Sequence, residues 1–172
     1  YLEVPSDRID FSLKPWMKAA EITDLVIDTV RAQPFDFVRL NYANGDMVGH
    51  TGNLAATLIG VATVDLCLGR LLRFVAEQKG IAIVTADHGN ADQMFQLDKK
   101  KGGFQVDAEG NPVPMTAHTL NPVPFWVWDS TGATLALDES VSLRRLSNVA
   151  ATALELMGFA APDGYDPALV RG

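Results

Sequence analysis

The stretch Ile81-Ala82-Ile83-Val84-Thr85-Ala86-Asp87-His88-Gly89-Asn90 decides the fold. A β-branched apolar run of strand length carries the chain straight into a carboxylate and an imidazole. Neighbouring strand residues point to opposite faces, so Asp87 and His88 can share an ion only if the strand ends in a turn. Gly89 supplies the freedom for that turn. An ordinary polar strand–loop junction would account for the same residues.

Upstream of this strand, Asn53 is placed to cap a long helix running to about Gln78, with Gly80 as its stop signal. Before it, Phe35-Asp36-Phe37-Val38-Arg39-Leu40-Asn41 reads as another strand, ending in a polar loop that contains Gly45 and Gly49. Ile22, Leu25, Val26 and Val30 recur at helical spacing between Ala19 and Ala32, and Pro5–Pro15 reads as a connector. Downstream, Gln96–Pro114 is polar and glycine-rich without periodicity, which predicts a long loop of the functional or mobile kind. Val123–Trp128 reads as a buried strand whose prolines put its start near a sheet edge. Ser142 is expected to cap a last helix through Met157, stopped by Gly158. Strands alternating with helices predict an α/β sandwich with a mostly parallel sheet, and in such folds sites form beyond the carboxyl ends of strands.

With 172 residues, 48% hydrophobic and 20% charged, the chain has the size and composition of one soluble domain. Apolar runs such as Val123–Val127 are too short to span a bilayer, so no membrane partner is expected. The first residues show no charged-then-apolar leader pattern, and the absence of a starting methionine suggests an excerpt of a longer protein. The single cysteine, Cys67, has no internal disulfide partner, which agrees with a cytoplasmic setting. Beside Leu66 and Leu68 it reads as a small core residue, while Asp65 and Arg70 suit surface or interhelix contacts. A net charge of −7 argues against nucleic acid as a partner, and Lys99-Lys100-Lys101 reads as a solvated loop. An acidic chain can still handle an anionic substrate when bound cations supply positive charge locally.

All three histidines lie among other candidate ligands. His50 follows Asp46 by four residues, so a helix or tight turn would present both to one ion. Equally, Asp46 could cap the long helix with His50 packed beside it. His118 leaves the long loop in Thr116-Ala117-His118-Thr119-Leu120-Asn121-Pro122. Mixed Asp and His donors suit Mn, Zn, Co or Fe, whereas an all-oxygen set would suit Mg or Ca. Asp46, His50, Asp87, His88 and His118 exceed what one three-ligand catalytic ion needs, so two ions fit better. Paired ions of that kind clamp the attacking and leaving oxygens of a phosphoryl group.

At these residues the sequence resembles the cofactor-independent phosphoglycerate mutases of the alkaline phosphatase superfamily. The segments that carry the resemblance are Asn41–Gly52, Thr85–Asp92 and His118–Phe125, in that order, within a similarity from about Pro5 to Gly158. It implies a three-layer α/β/α sandwich, alkaline phosphatase-like and incomplete in this chain. It also implies interconversion of 3-phosphoglycerate and 2-phosphoglycerate in glycolysis through a phosphoserine intermediate, in a monomer when full length. Two Mn²⁺, or Mg²⁺, Co²⁺ or Zn²⁺ in their place, are the implied cofactors. Asp46, His50 and His118 would hold one ion; Asp87 and His88 would hold the other, with a serine and a further aspartate. By the same resemblance, residues 1–172 form the C-terminal part of the metal-binding domain. The nucleophilic serine and an inserted substrate-gripping domain would precede it, so no serine here is taken as nucleophile and the chain alone is expected to lack turnover. Asp92 and Gln93 are candidates for orienting ligands, and Trp126 and Trp128 for packing. Gly45 stands where many relatives have proline, and the loop after Gln96 is longer than in compact relatives. Other members of the superfamily, such as a phosphopentomutase, phosphatase or sulfatase, share the two-metal logic. A catalytically silent metal-binding module is the alternative from a different class.

Overall fold

The computed structural model describes residues 1–171. In chain order the elements are α1 (Ala19–Ala32), α2 (Asn44–Gly49), α3 (Leu54–Glu77), β1 (Ile81–Thr85), β2 (Phe125–Asp129), β3 (Ala136–Leu137), α4 (Asn148–Leu156) and β4 (Val170–Arg171), with a short 3₁₀ turn at Phe11–Leu13. They fall into two units. One comprises Tyr1–Leu71 with His88–Val123; the other comprises Leu72–Asp87 and the chain from Pro124 onward.

In the first unit, α1 has the expected bounds, and its most buried line is Ala19, Thr23 and Ile27, with Ile22, Leu25, Val26 and Val30 half-buried. Thr23 donates its hydroxyl to the Ala19 carbonyl at 2.7 Å and meets the Tyr42 hydroxyl at 2.6 Å, tying the chain after α1 back onto the helix. Arg70 of α3 pairs with Asp24 of α1, the interhelix contact its position suggested. Met17, Val48 and Ala56 form a small core with Phe11, Ala43 and Met47 packed on it. Buried Asn44 donates to the Pro15 carbonyl at 2.9 Å, which fixes the start of α2.

Asn53 caps α3 as expected, its Oδ1 accepting from the Ala56 N–H at 3.0 Å. The far end closes differently. Lys79, not Gly80, takes the left-handed conformation at φ 52°, while the Gly80 N–H reaches back to the Val75 carbonyl at 2.9 Å. α3 is 24 residues long and, by length and composition alone, apolar enough to cross a membrane. No unbroken apolar run marks it in the sequence, because Gly60, Thr63, Asp65 and Gly69 interrupt the run without ending the helix. Cys67 is buried on it, while Leu58, Ile59, Val61 and Leu66 are exposed.

Two further expectations are corrected. Phe35–Asn41 forms no strand, and Phe35, Phe37 and Val38 are exposed. A strand exists only through a neighbour's hydrogen bonds, and this segment has none among the described residues. Gln96–Pro114 is not an unstructured loop but a doubled-back hairpin. Bridges pair Phe95 with Pro114, Leu97 with Phe104 and Val106 with Pro112. Asp98 accepts the N–H groups of Lys100 and Lys101, and Asp107 those of Glu109 and Asn111, so each carboxylate organises a turn. These backbone N–H bonds hold both carboxyls below their ordinary range. The pairing is scattered rather than periodic, which is why the sequence pattern did not show it.

In the second unit β1 and β2 pair antiparallel, from Ile81 opposite Asp129 to Thr85 opposite Phe125. β3 and β4 also pair antiparallel. The α/β alternation therefore holds, but the described strands make none of the parallel pairs the sequence led us to expect. Trp126 is exposed on its strand rather than packed. Val141, Leu169 and Val170 form the local core with Phe125, Val127, Leu135 and Leu156. The last helix is shorter than expected: it starts at Asn148, so Ser142 does not cap it. Asn148 does the anchoring instead, accepting from the Arg145 N–H and donating to the Pro167 carbonyl. Gly158, at φ 82°, ends the helix as predicted.

Thr152 lies fully buried on α4, donating to the Asn148 carbonyl and accepting the Leu169 N–H at 2.9 Å. Thr152→Val keeps the shape but strands that N–H. We expect a loss of about 1–3 kcal/mol of stability, read by urea denaturation; an unchanged midpoint would contradict this account of how the C-terminal segment is held.

Candidate metal centre

The site is built within the first unit, starting from α2. One helical turn separates Asp46 from His50, which occupies the residue just past the helix, so both side chains leave the same face. Asp46 Oδ1 lies 3.1 Å from His50 Nε2. His118 enters from the far end of the hairpin, with its Nε2 at 3.0 Å from the same Asp46 oxygen and 3.1 Å from His50 Nε2. Two backbone connections bring it there. His50 Nδ1 lies 2.7 Å from the Thr116 carbonyl, and the Thr119 N–H donates to the Gly89 carbonyl at 2.8 Å.

The Thr116 contact fixes the chemistry of His50. A carbonyl only accepts, so Nδ1 carries a proton, and in the neutral ring it is Nε2 that presents its lone pair toward Asp46 and His118. A carboxylate oxygen and imidazole nitrogens facing one another at about 3 Å repel unless a cation or proton lies among them. Ligands bound at about 2.1 Å to one ion are spaced at about this distance from one another. Asp46, His50 and His118 are accordingly the group among the described residues that can hold a metal ion. The backbone partner on the distal nitrogen of His50 is the support metal-binding histidines commonly have.

His88 stands beside the trio. Its ring stacks on His118 with centroids 3.6 Å apart and planes 18° from parallel, and its Nδ1 lies 4.0 Å from Asp46 Oδ1. Asp87 belongs to the other unit, at its boundary, and is exposed. Both residues sit in a bend after β1, as sharing an ion would require of adjacent residues. The structure thus gathers Asp46, His50 and His118, with His88 adjoining them.

Some supporting residues carried no sequence signal. Thr116 acts through its carbonyl, which any residue type would offer. Asn90 donates to Asp46 Oδ1 at 2.7 Å from a buried position. Asp92, one of the candidates for orienting ligands, accepts from Asn121 at 2.5 Å and from the Thr119 hydroxyl at 3.2 Å. It therefore braces the backbone that presents His118 rather than touching a ligand. Gln93 joins through Asn121 at 3.3 Å. Gly89 is required for space: a Cβ there would lie 2.1 Å from Thr119 Oγ1 and 2.7 Å from Asp92 Oδ1.

The chain is similar to several known proteins. The model of the metalloenzyme superfamily matches residues 1–161. The chain is 47% identical to a 2,3-bisphosphoglycerate-independent phosphoglycerate mutase of Trypanosoma brucei brucei, over 99% of this chain and 31% of that protein. It is 43% identical to phosphoglycerate mutase 1 of that type from Arabidopsis thaliana, over the same shares. Among solved structures, a Leishmania mexicana phosphoglycerate mutase determined at low cobalt concentration superposes with a TM-score of 0.94. The identity there is 45%, again over 99% of this chain and 31% of that one. The chain thus spans about a third of the length of the relatives it matches.

Gly89→Ala should force Thr119 and Asp92 apart and cost about 1–3 kcal/mol of stability. Thermal unfolding beside the parent measures it; equal melting temperatures would show that the Gly89–Thr119 approach is not a constraint.

Proposed function

The chain belongs to the metalloenzyme superfamily, alkaline phosphatase-like in fold, and from that membership we propose that it forms the C-terminal, metal-binding part of a cofactor-independent phosphoglycerate mutase. The observation that carries the reading is the meeting of Asp46 Oδ1 with the Nε2 atoms of His50 and His118 at 3.0–3.1 Å. Two imidazoles and one carboxylate favour Mn²⁺, Co²⁺ or Zn²⁺ over Mg²⁺. In this assignment Asp46, His50 and His118 hold one ion, and Asp87 and His88 contribute to a second.

Bound there, the ions would neutralise charge on the transferring phosphoryl group and activate a serine supplied from outside residues 1–172. The protein's own residues set the conditions. Thr116 keeps His50 in the tautomer that offers Nε2. Asp92, Thr119 and Gly89 fix the turn bearing His118, and the His118 ring carries His88 stacked against it. The net charge of −7 leaves the site dependent on bound cations for attracting an anionic phosphoglycerate. Exposed Phe35, Phe37 and Val38 and the exposed residues of α3 are apolar surface of the kind a larger domain covers, which supports reading this as one part of a longer protein. On the likeness to the mutases we read that protein as a glycolytic, cytoplasmic and monomeric enzyme.

The test uses the intact protein. Mn²⁺ titration should give saturable binding, weakened at least about 100-fold by His118→Ala at equal foldedness, and the loaded enzyme should convert 3-phosphoglycerate to 2-phosphoglycerate without releasing phosphate. Residues 1–172 alone should show no turnover. Release of inorganic phosphate in place of isomerisation would assign the chain to a hydrolase of the same superfamily, and binding insensitive to His118 would remove the site.

A further inference from the structure

Asn90 is 5% exposed, one residue beyond the glycine that lets Thr119 approach. Its Nδ2 donates twice to the same residue, to Asp46 Oδ1 at 2.7 Å and to the Asp46 carbonyl at 3.2 Å. Its own Oδ1 is buried without a hydrogen-bond partner among the described residues. Turning the amide over would set an acceptor against two acceptors, so Asp46 dictates which edge faces it. Gly49 on α2 makes the room: a Cβ there would lie 2.4 Å from Asn90 Oδ1 and 2.9 Å from its Cγ.

Packing alone does not explain this residue. A buried amide oxygen left unsatisfied carries a desolvation penalty, and a leucine of similar shape would fill the same space without it. The donor edge is what leucine lacks. By gripping both the main chain and the side chain of Asp46, the amide restricts the carboxylate's rotation and aims Oδ1 at the two Nε2 atoms. The donor is also neutral. A lysine or arginine in its place would hold the carboxylate equally well but would offset the negative charge that attracts a cation.

We propose that Asn90 is a positioning residue for ion binding, holding the Asp46 carboxylate in its ligating orientation before the ion arrives. This rests on the metal assignment of Asp46, His50 and His118 and adds the residue that pre-organises it.

Co²⁺ reports on the site directly, through its visible absorption as well as its dissociation constant. The intact protein, Asn90→Leu, Asn90→Ala and His118→Ala are titrated with Co²⁺ after matching their far-ultraviolet spectra and melting temperatures. We expect the Asn90 variants to bind about 10- to 100-fold more weakly than the parent with an altered absorption band, while remaining as stable as the parent in the leucine case. Unchanged affinity and band in a folded Asn90 variant would overturn the proposal and leave the metal assignment standing. No Co²⁺ binding by the parent would instead remove the metal assignment, and this inference with it. Should both Asn90 variants fail to fold, the parent's Asn90 side-chain amide protons decide by nuclear magnetic resonance with diamagnetic Zn²⁺. A shift on ion binding supports the role, and none overturns it.

Discussion

Three lone-pair-bearing atoms held about 3 Å apart are the constraint around which the first unit is organised. With neither a cation nor a proton among them, a carboxylate oxygen and two imidazole lone pairs repel and would turn apart toward water. Their convergence has to be imposed by the surrounding fold. α2 imposes it for Asp46 and His50 by placing them one turn apart. Bonds from the hairpin and from Gly89 impose it for His118, which is 68 residues distant from His50 in sequence.

The scaffold uses small residues where the backbone must come close and polar residues where orientation matters. Gly49 yields its side-chain space to Asn90, and Gly89 yields its own to Thr119 and Asp92. Asn90 and Asp92 then spend their hydrogen bonds on Asp46 and on the residues flanking His118. Thr116 contributes only a carbonyl, yet that carbonyl sets the tautomer of His50. Rigidity here comes from short polar links more than from hydrophobic mass: the buried apolar core of this unit centres on Met17, Val48 and Ala56.

The hairpin between Phe95 and Pro114 joins the second motif to the third. It returns the chain to α2 by backbone pairing, with Asp98 and Asp107 shaping its turns. Its sequence shows no alternation, because bridges at single residue pairs leave most side chains in solvent and exert no selection for an apolar face. The converse holds for Phe35–Asn41. There the apolar residues of a strand are present, but no neighbour among the described residues pairs with the segment, and Phe35, Phe37 and Val38 stand exposed.

What the sequence determined by itself were the elements whose information is local. Helix α1, the Asn53 cap, the strand Ile81–Thr85 and the Gly158 stop all follow from periodicity and capping chemistry within a few residues. The identities of the candidate ligands were legible for the same reason, because imidazole and carboxylate are scarce, chemically distinctive groups that stand in short motifs. Tertiary structure alone decided that β1 pairs antiparallel with β2, that the loop after Gln96 folds back, and that Ser142 caps nothing. It also decided that Asp46, His50 and His118 meet at a point and that Asn90 and Thr116 support them. Those outcomes depend on partners tens of residues away, and a donor or an acceptor carries no mark in the sequence of which distant group it will face.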